Sequence, residues 1–197
     1  TGSAAGASTA ALWAEDVVVD DASRASFTIT DGSARWPVAL ALHGIAPNVY
    51  VKIPVTDCSG RSMAPLMRRL ADAGVSVNAT ALMTLGQVEA VAAALRDGPP
   101  AVVSVFAGRI ADAGVEPGPV MAQAHELLAP HPHLELLWAS PREVLNVLHA
   151  DAAGCQIITM TPDLLAKLPG LGRDLEEFSL STVRMFRDDA VAAGYQL

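Results

Sequence analysis

Lys52 lies inside the run Asn48-Val49-Tyr50-Val51-Lys52-Ile53-Pro54-Val55-Thr56, between Pro47 and the turn-forming residues Asp57 to Gly60. A β-branched and aromatic run with such borders reads as a strand. Strand alternation puts Val49, Val51, Ile53 and Val55 on one face and Tyr50, Lys52 and Pro54 on the other. A lysine in that setting is either paired or desolvated. Burial lowers an amine's pKa, and a neutral amine is a nucleophile toward carbonyls. Lysine is also scarce, since Lys52 and Lys167 stand against eleven arginines. Solubility therefore does not account for Lys52. The plainer alternative is a strand-end lysine whose head reaches water.

Other chemistry-bearing residues fall at intervals beyond it. Asn78 and Thr80 are two apart on the next strand and share a face. Ser104 and Phe106 share a face of the one after, followed by Gly108-Arg109-Ile110. Arg109 is expected in the loop after that strand, a natural anion site. Ala139-Ser140-Pro141-Arg142 ends the following strand. Ser140 offers a hydroxyl and a helix N-terminus, and Arg142 a guanidinium; together they can hold a phosphate. Each residue has a structural reading as well. Asn78 and Thr80 fit core polar groups bonded to backbone, Arg109 a partner of Asp112, and Arg142 a partner of Glu143 or a neighbour. Their recurrence at successive strand ends, together with a lysine, makes the joint case for carbonyl chemistry on an anionic substrate.

The elements that carry them alternate. Residues 1–10 are small and polar without a period, as in a frayed start. Residues 11–21 fit the end of a helix or a short strand. A strand is expected over 26–30, closed by Asp31-Gly32-Ser33, and a helix over 36–45. After the Lys52 strand come a helix over 63–73 stopped by Gly74, a strand over 75–81 and a helix over 84–96. Thr84 and Gln87 make a capping-box pattern there. Then follow a strand over 101–106, a helix over 119–128, a strand over 134–139 and a helix over 141–150 capped by Ser140. A strand over 156–160 and helices over 162–168 and 179–193 complete the chain. Strand–helix alternation implies parallel strands, in a barrel or a doubly wound sheet. There is no GxGxxG or Walker loop, which disfavours a nucleotide-binding sheet. In a barrel, catalytic groups lie at the C-terminal strand ends.

Composition narrows the function classes. A chain of 197 residues suits one domain with a sizeable core. Residues 1–25 read as an N-terminal remnant and 26–197 as one (β/α) barrel domain. No apolar stretch reaches the roughly 18–20 residues of a membrane span, and the opening residues do not read as a charged-then-apolar leader of the secretory kind. A net charge of −8 without a basic block argues against a nucleic-acid partner. Cys58 and Cys155 form neither a metal spacing nor a disulfide framework and read as reduced structural thiols. The expectation is a cytoplasmic protein with neither membrane nor nucleic-acid partner.

The ordered set resembles the transaldolases and their small relatives, the fructose-6-phosphate aldolases. Val51-Lys52-Ile53-Pro54-Val55-Thr56 is similar to the family's Schiff-base strand. Asn78-Ala79-Thr80 matches the next strand, where asparagine contacts the intermediate and threonine orients the catalytic water. Ser104-Val105-Phe106-Ala107-Gly108-Arg109-Ile110 resembles the sixth strand with its phosphate arginine. Ala139-Ser140 and Arg142 resemble the seventh-strand phosphate site. The resemblance covers about residues 48–197. It implies a (β/α)8 TIM barrel, a phosphorylated sugar as substrate, no metal and no organic cofactor. It assigns catalysis to Lys52, Asn78 and Thr80, and substrate binding to Ser104, Phe106, Arg109, Ser140 and Arg142. It also implies transfer of a dihydroxyacetone unit through a lysine Schiff base.

Several positions depart from the family pattern. The first-strand aspartate and the second-strand Thr-Asn-Pro type motif are not found ahead of Ser26. Thr28 stands where transaldolases carry a strand-three glutamate, and Phe106 where the fructose-6-phosphate aldolases carry a tyrosine. Asp31, just past the same strand as Thr28, is either a substitute carboxylate or a turn former. Six strands follow from residue 26, two short of a barrel. Unpaired edges invite pairing. The expectation is therefore an N-terminal segment supplying the first strands, or a homo-oligomer whose second subunit closes the gap. A second function remains open beside the enzyme: a catalytically impaired relative that binds a sugar phosphate or a protein partner.

Overall fold

The computed structural model describes residues 15–19, 25–28, 42–46 and 48–195. The expectations for residues 1–10, for Asp31 and for most of the helix over 36–45 lie outside these residues. Among the described residues seven strands form one sheet in chain order: β1 (Glu15–Val19), β2 (Ala25–Thr28), β3 (Val49–Pro54), β4 (Val77–Leu82), β5 (Ala101–Val105), β6 (Leu134–Trp138) and β7 (Ile157–Ile158). β1 and β2 pair antiparallel, and every pairing from β2 to β7 is parallel. The six strands expected from residue 26 onward are β2 to β7. This is the α/β arrangement of a TIM-barrel-type fold.

The helices follow from local sequence. α1 (Ala64–Asp72) buries Met67, Leu70 and Ala71. It ends where Gly74 takes φ +79° and the Val75 N–H donates to the Leu70 carbonyl at 2.9 Å, a left-handed C-terminal stop. α2 (Leu85–Leu95) carries the expected capping box: Gln87 N–H donates to Thr84 Oγ1 at 3.3 Å, and Thr84 N–H donates to Gln87 Oε1 at 3.1 Å. α4 (Pro117–Leu128) buries Met121, Ala124 and Leu128.

Two layers of core separate the faces of the sheet. Val51, Ile53, Val77, Val103, Val105, Leu136 and Trp138 pack with the helix residues Met67, Leu70, Val91, Met121 and Leu128. The opposite face has its own small cluster of Tyr50, Val102, Leu137 and Ala139, flanked by Phe106 and Ile157. Strands buried on both faces explain the near-continuous Val/Ile/Leu content. The alternation read from β3 therefore sorts Val51 and Ile53 to the helix layer and Tyr50, with Lys52, to the inner face.

Four expectations are corrected. Residues 107–112 form a short helix, α3 (Ala107–Asp112), so Arg109 is helical rather than in a loop. The helix expected over 141–150 is α5 (Asn146–Ala152). Ser140 has φ +57°, whereas a capping serine is extended and accepts the N–H of a following residue. Instead Asn146 Oδ1 accepts from the N–H groups of Arg142 at 2.8 Å and Glu143 at 3.2 Å, which holds the intervening residues as a turn. The strand over 156–160 is reduced to β7. The helix over 162–168 is divided into α6 (Pro162–Leu165) and a 3-10 turn (Leu168–Gly170).

The chain divides after Thr159 into two compact units. In the second, α7 (Leu175–Ala192) starts four residues ahead of the expected 179. Asp174 caps it by accepting the Glu177 N–H at 2.9 Å, and Arg173 stacks over the Phe178 ring at 4.6 Å. Gly194, with φ +85°, closes it as expected. Among the described residues no helix is long and apolar enough to cross a membrane.

Candidate active site

Lys52 is the fourth residue of β3 and is half-buried. By backbone register it lies between Thr28 of β2 and Asn78 of β4. The backbone row Thr28–Lys52–Asn78 thus crosses three adjacent strands, and Lys52 and Asn78 share the inner face. Asn78 is buried, and its Oδ1 accepts a hydrogen bond from the Ser104 hydroxyl at 2.7 Å. That bond fixes the amide plane and leaves its Nδ2 group as the donor offered beside Lys52. Among the described residues the partner of the Asn78 side chain is thus Ser104 rather than backbone.

Thr80, two residues along β4, is 4% exposed, and its Oγ1 is buried without a hydrogen-bond partner among the described residues. An unpaired buried hydroxyl costs about 1–3 kcal/mol; the indole N–H of Trp138 is likewise buried without a partner among the described residues. The backbone next to Thr80 is also special. Ala81 has φ +64°, and the β4–β5 register shifts between Ala79 and Leu82. A bulge of this kind re-aims the side chains at a strand end, and the left-handed alanine stores strain of about 1–3 kcal/mol.

The strand ends of β5 and β6 meet through backbone. Gly108 is buried; its N–H donates to the Ala139 carbonyl at 3.3 Å, and a Cβ added to it would lie 1.5 Å from the Ser140 oxygen. Only a residue without a side chain lets α3 approach Ser140 this closely. Arg109 follows Gly108 on α3 and is exposed. Arg142 donates from Nε to Asp112 Oδ1 at 3.0 Å and from Nη2 to Asp112 Oδ2. Those bonds hold the Asp112 carboxyl below its usual pKa, with the charges of Arg142 and Arg109 adding to the effect. The sequence offered Asp112 to Arg109 and Glu143 to Arg142. The structure gives Asp112 the bidentate fork of Arg142, with Arg109 near enough to act on the same carboxylate.

The loop after the Lys52 strand is tied down as well. Asp57 accepts from Ser59 Oγ at 2.7 Å, Arg61 N–H at 3.0 Å, Arg61 Nε at 2.7 Å and Ser59 N–H at 2.9 Å. The Ser59 hydroxyl and the Arg61 backbone lead in holding its pKa well below the carboxylate range. Spacing marks Asp57 only as a turn former and Gly108 only as part of a motif, since neither the loop bonds of Asp57 nor the close approach at Gly108 leaves a local signal. Cys155 is packed against the helix-layer core, and burial pushes its thiol up to about 12, while Cys58 is exposed. Among the described residues no group of three or more His, Cys, Asp or Glu is placed to hold a metal ion.

Two clusters result: Lys52, Asn78, Thr80 and Ser104 on β3 to β5, with Phe106 against the inner cluster, and Arg109, Ser140 and Arg142 gathered about Gly108 and Asp112. The first can bind and protonate a carbonyl-derived group, and the second can hold an anion.

Comparison with known proteins bears on the same stretch. The sequence model of a family described as transaldolase/fructose-6-phosphate aldolase matches residues 23–196. A probable transaldolase of Rhodospirillum centenum is 31% identical over 153 residues, covering 77% of this chain and 63% of that protein. One from Nitrosopumilus maritimus is 30% identical over 141 residues, covering 71% and 60%. One from Bacillus anthracis, probable transaldolase 1, is 32% identical over 138 residues, covering 68% and 60%. The chain spans about three fifths of the length of these curated relatives.

Proposed function

The chain belongs to the transaldolase/fructose-6-phosphate aldolase family, and on that premise we propose that Lys52 forms a Schiff base with a phosphorylated ketose and supports dihydroxyacetone transfer. The observation that carries the reading is the buried Asn78–Ser104 pair in register with Lys52, beside the unpaired hydroxyl of Thr80.

The chemistry follows from these groups. The neutral Lys52 amine attacks the ketose carbonyl carbon, and the resulting carbinolamine expels hydroxide to leave a protonated imine. A base removes the proton of the hydroxyl on the carbon beyond the scissile bond. That C–C bond breaks, an aldose phosphate leaves, and the electron pair enters the iminium to give an enamine. The Asn78 amide donates to the hydroxyls of the bound dihydroxyacetone unit. Attack of the enamine on an acceptor aldehyde reverses the sequence, and water oriented by Thr80 hydrolyses the product imine. Thr28, the register neighbour of Lys52 on β2, is not a carboxylate, so the hydroxyl proton passes to the hydroxide expelled on imine formation, which becomes the water that Thr80 orients. Arg109, Ser140 and Arg142 take the terminal phosphate.

The test is reductive trapping. Borohydride added to the protein with fructose 6-phosphate should leave a stable adduct, located by mass spectrometry on the Lys52 peptide. Labelling only at Lys167, or no labelling, overturns the reading.

The anion site has its own test. A charge-assisted contact contributes about 1.5–3 kcal/mol. Arg109→Ala should therefore raise KM for phosphorylated substrates roughly ten- to a hundredfold, with the fold intact. An unchanged KM removes Arg109 from the site.

A further inference from the structure

We infer that Asp112 is a positioning residue of the anion site: its carboxylate fixes the guanidinium of Arg142 so that the opposite edge of the fork faces a bound phosphate. The inference rests on the assignment of Arg142 to substrate binding. Both partners are half exposed, with side chains 48% and 53% accessible. An ion pair so open to water contributes at most about 1 kcal/mol to stability, even with bidentate geometry. The same geometry also fixes the orientation of the guanidinium. A guanidinium has five donors in a rigid plane. Asp112 takes Nε and one Nη donor, which leaves the remaining Nη edge for a second anion. Without Asp112, the long arginine side chain must lose its rotamer freedom when the ligand binds, and affinity falls by that amount.

Charge acts the other way. A carboxylate next to two arginines lowers the local positive potential, so its removal alone would tighten phosphate binding. The pair is exposed and screened by water and salt, which weakens this term, whereas the rotamer term is set by the side chain's length. Positioning therefore prevails. The fixed backbone contact at Gly108 supports this, because it holds α3, and with it Asp112, at one distance from the turn that carries Arg142.

Two measurements test it on the intact protein. The first is titration with inorganic phosphate, followed by phosphorus NMR or calorimetry, which needs no Lys52 chemistry. Asp112→Ala should weaken phosphate binding about three- to tenfold, and Asp112→Glu should recover part of it. In an Arg142→Ala background, Asp112→Ala should no longer weaken binding, because there is no guanidinium to position and only the small charge effect, of opposite sign, remains. The second is the concentration dependence of borohydride trapping. Asp112→Ala should shift the half-maximal fructose 6-phosphate concentration by the same factor and leave that of unphosphorylated dihydroxyacetone unchanged. Equal or tighter phosphate binding in Asp112→Ala, additive effects with Arg142→Ala, or no phosphate binding by the parent protein overturns the inference. Failure of the Schiff-base reading looks different: phosphate still binds in the stated order, and Lys52 takes up no adduct.

Discussion

Lys52→Ala and Lys52→Arg should each abolish imine trapping and lower dihydroxyacetone transfer by roughly four to six orders of magnitude, the scale seen when a covalent nucleophile is removed. The arginine variant is the more informative. Arginine keeps the positive charge and most of the side-chain length, but its guanidinium is protonated at every accessible pH and cannot attack a carbonyl. If Lys52 serves only as a counter-charge on the inner face, arginine restores function. If it is the nucleophile, arginine is as inactive as alanine. Inorganic phosphate binding should be unchanged in both, because Arg109 and Arg142 sit on other elements. The assay is transfer from fructose 6-phosphate to erythrose 4-phosphate. Activity within about a hundredfold of the parent protein in Lys52→Arg would sink the assignment; general acid–base contributions alone are of that size or larger.

Gly108→Ala should be the most damaging single-atom addition outside the Lys52 cluster. The new Cβ would meet the Ser140 oxygen at 1.5 Å and the Ser140 carbonyl carbon at 2.6 Å, well inside any contact. These atoms belong to backbone, so no side-chain rotation relieves the clash. Either α3 moves away from the end of β6, or Ser140, already left-handed, shifts. Overpacking of this kind costs about 1–3 kcal/mol and occasionally more. The same movement separates Arg109 and Asp112 from Ser140 and Arg142. Phosphate affinity should therefore fall at least as far as in Arg109→Ala. Denaturant unfolding reads the first effect, and phosphate titration reads the second. Gly86→Ala is the matched control. Nothing lies within 4 Å of its added Cβ and it sits within α2, so alanine there should stabilise by up to about 1 kcal/mol. Parent-like stability and phosphate affinity in Gly108→Ala would show that the close approach is dispensable.

Much of this protein was legible from local sequence. Val49, Val51, Ile53 and Val55 alternate with Tyr50 and Lys52, and the structure sorts them onto the two faces that period 2 requires. Thr84 and Gln87 cap α2, and Gly74 stops α1, because these signals act over three or four residues through bonds the same segment can make. The order of strands and helices followed, and with it the expectation of a parallel α/β sheet. Where local signals were weak, boundaries moved. No side chain caps α3, so nothing in the sequence announced it. Ser140-Pro141 looked like a helix start, but the left-handed φ of Ser140 and the two N–H groups held by Asn146 postpone α5 to residue 146. What only the tertiary structure decided are the pairings between distant residues. Ser104 reaches Asn78 across 26 positions, and Arg142 reaches Asp112 across 30. Neighbouring carboxylates competed equally well for these arginines in the sequence. The choice depends on how far β5 slides against β6 and on how closely a glycine lets α3 approach, and such distances are set by packing rather than by spacing along the chain.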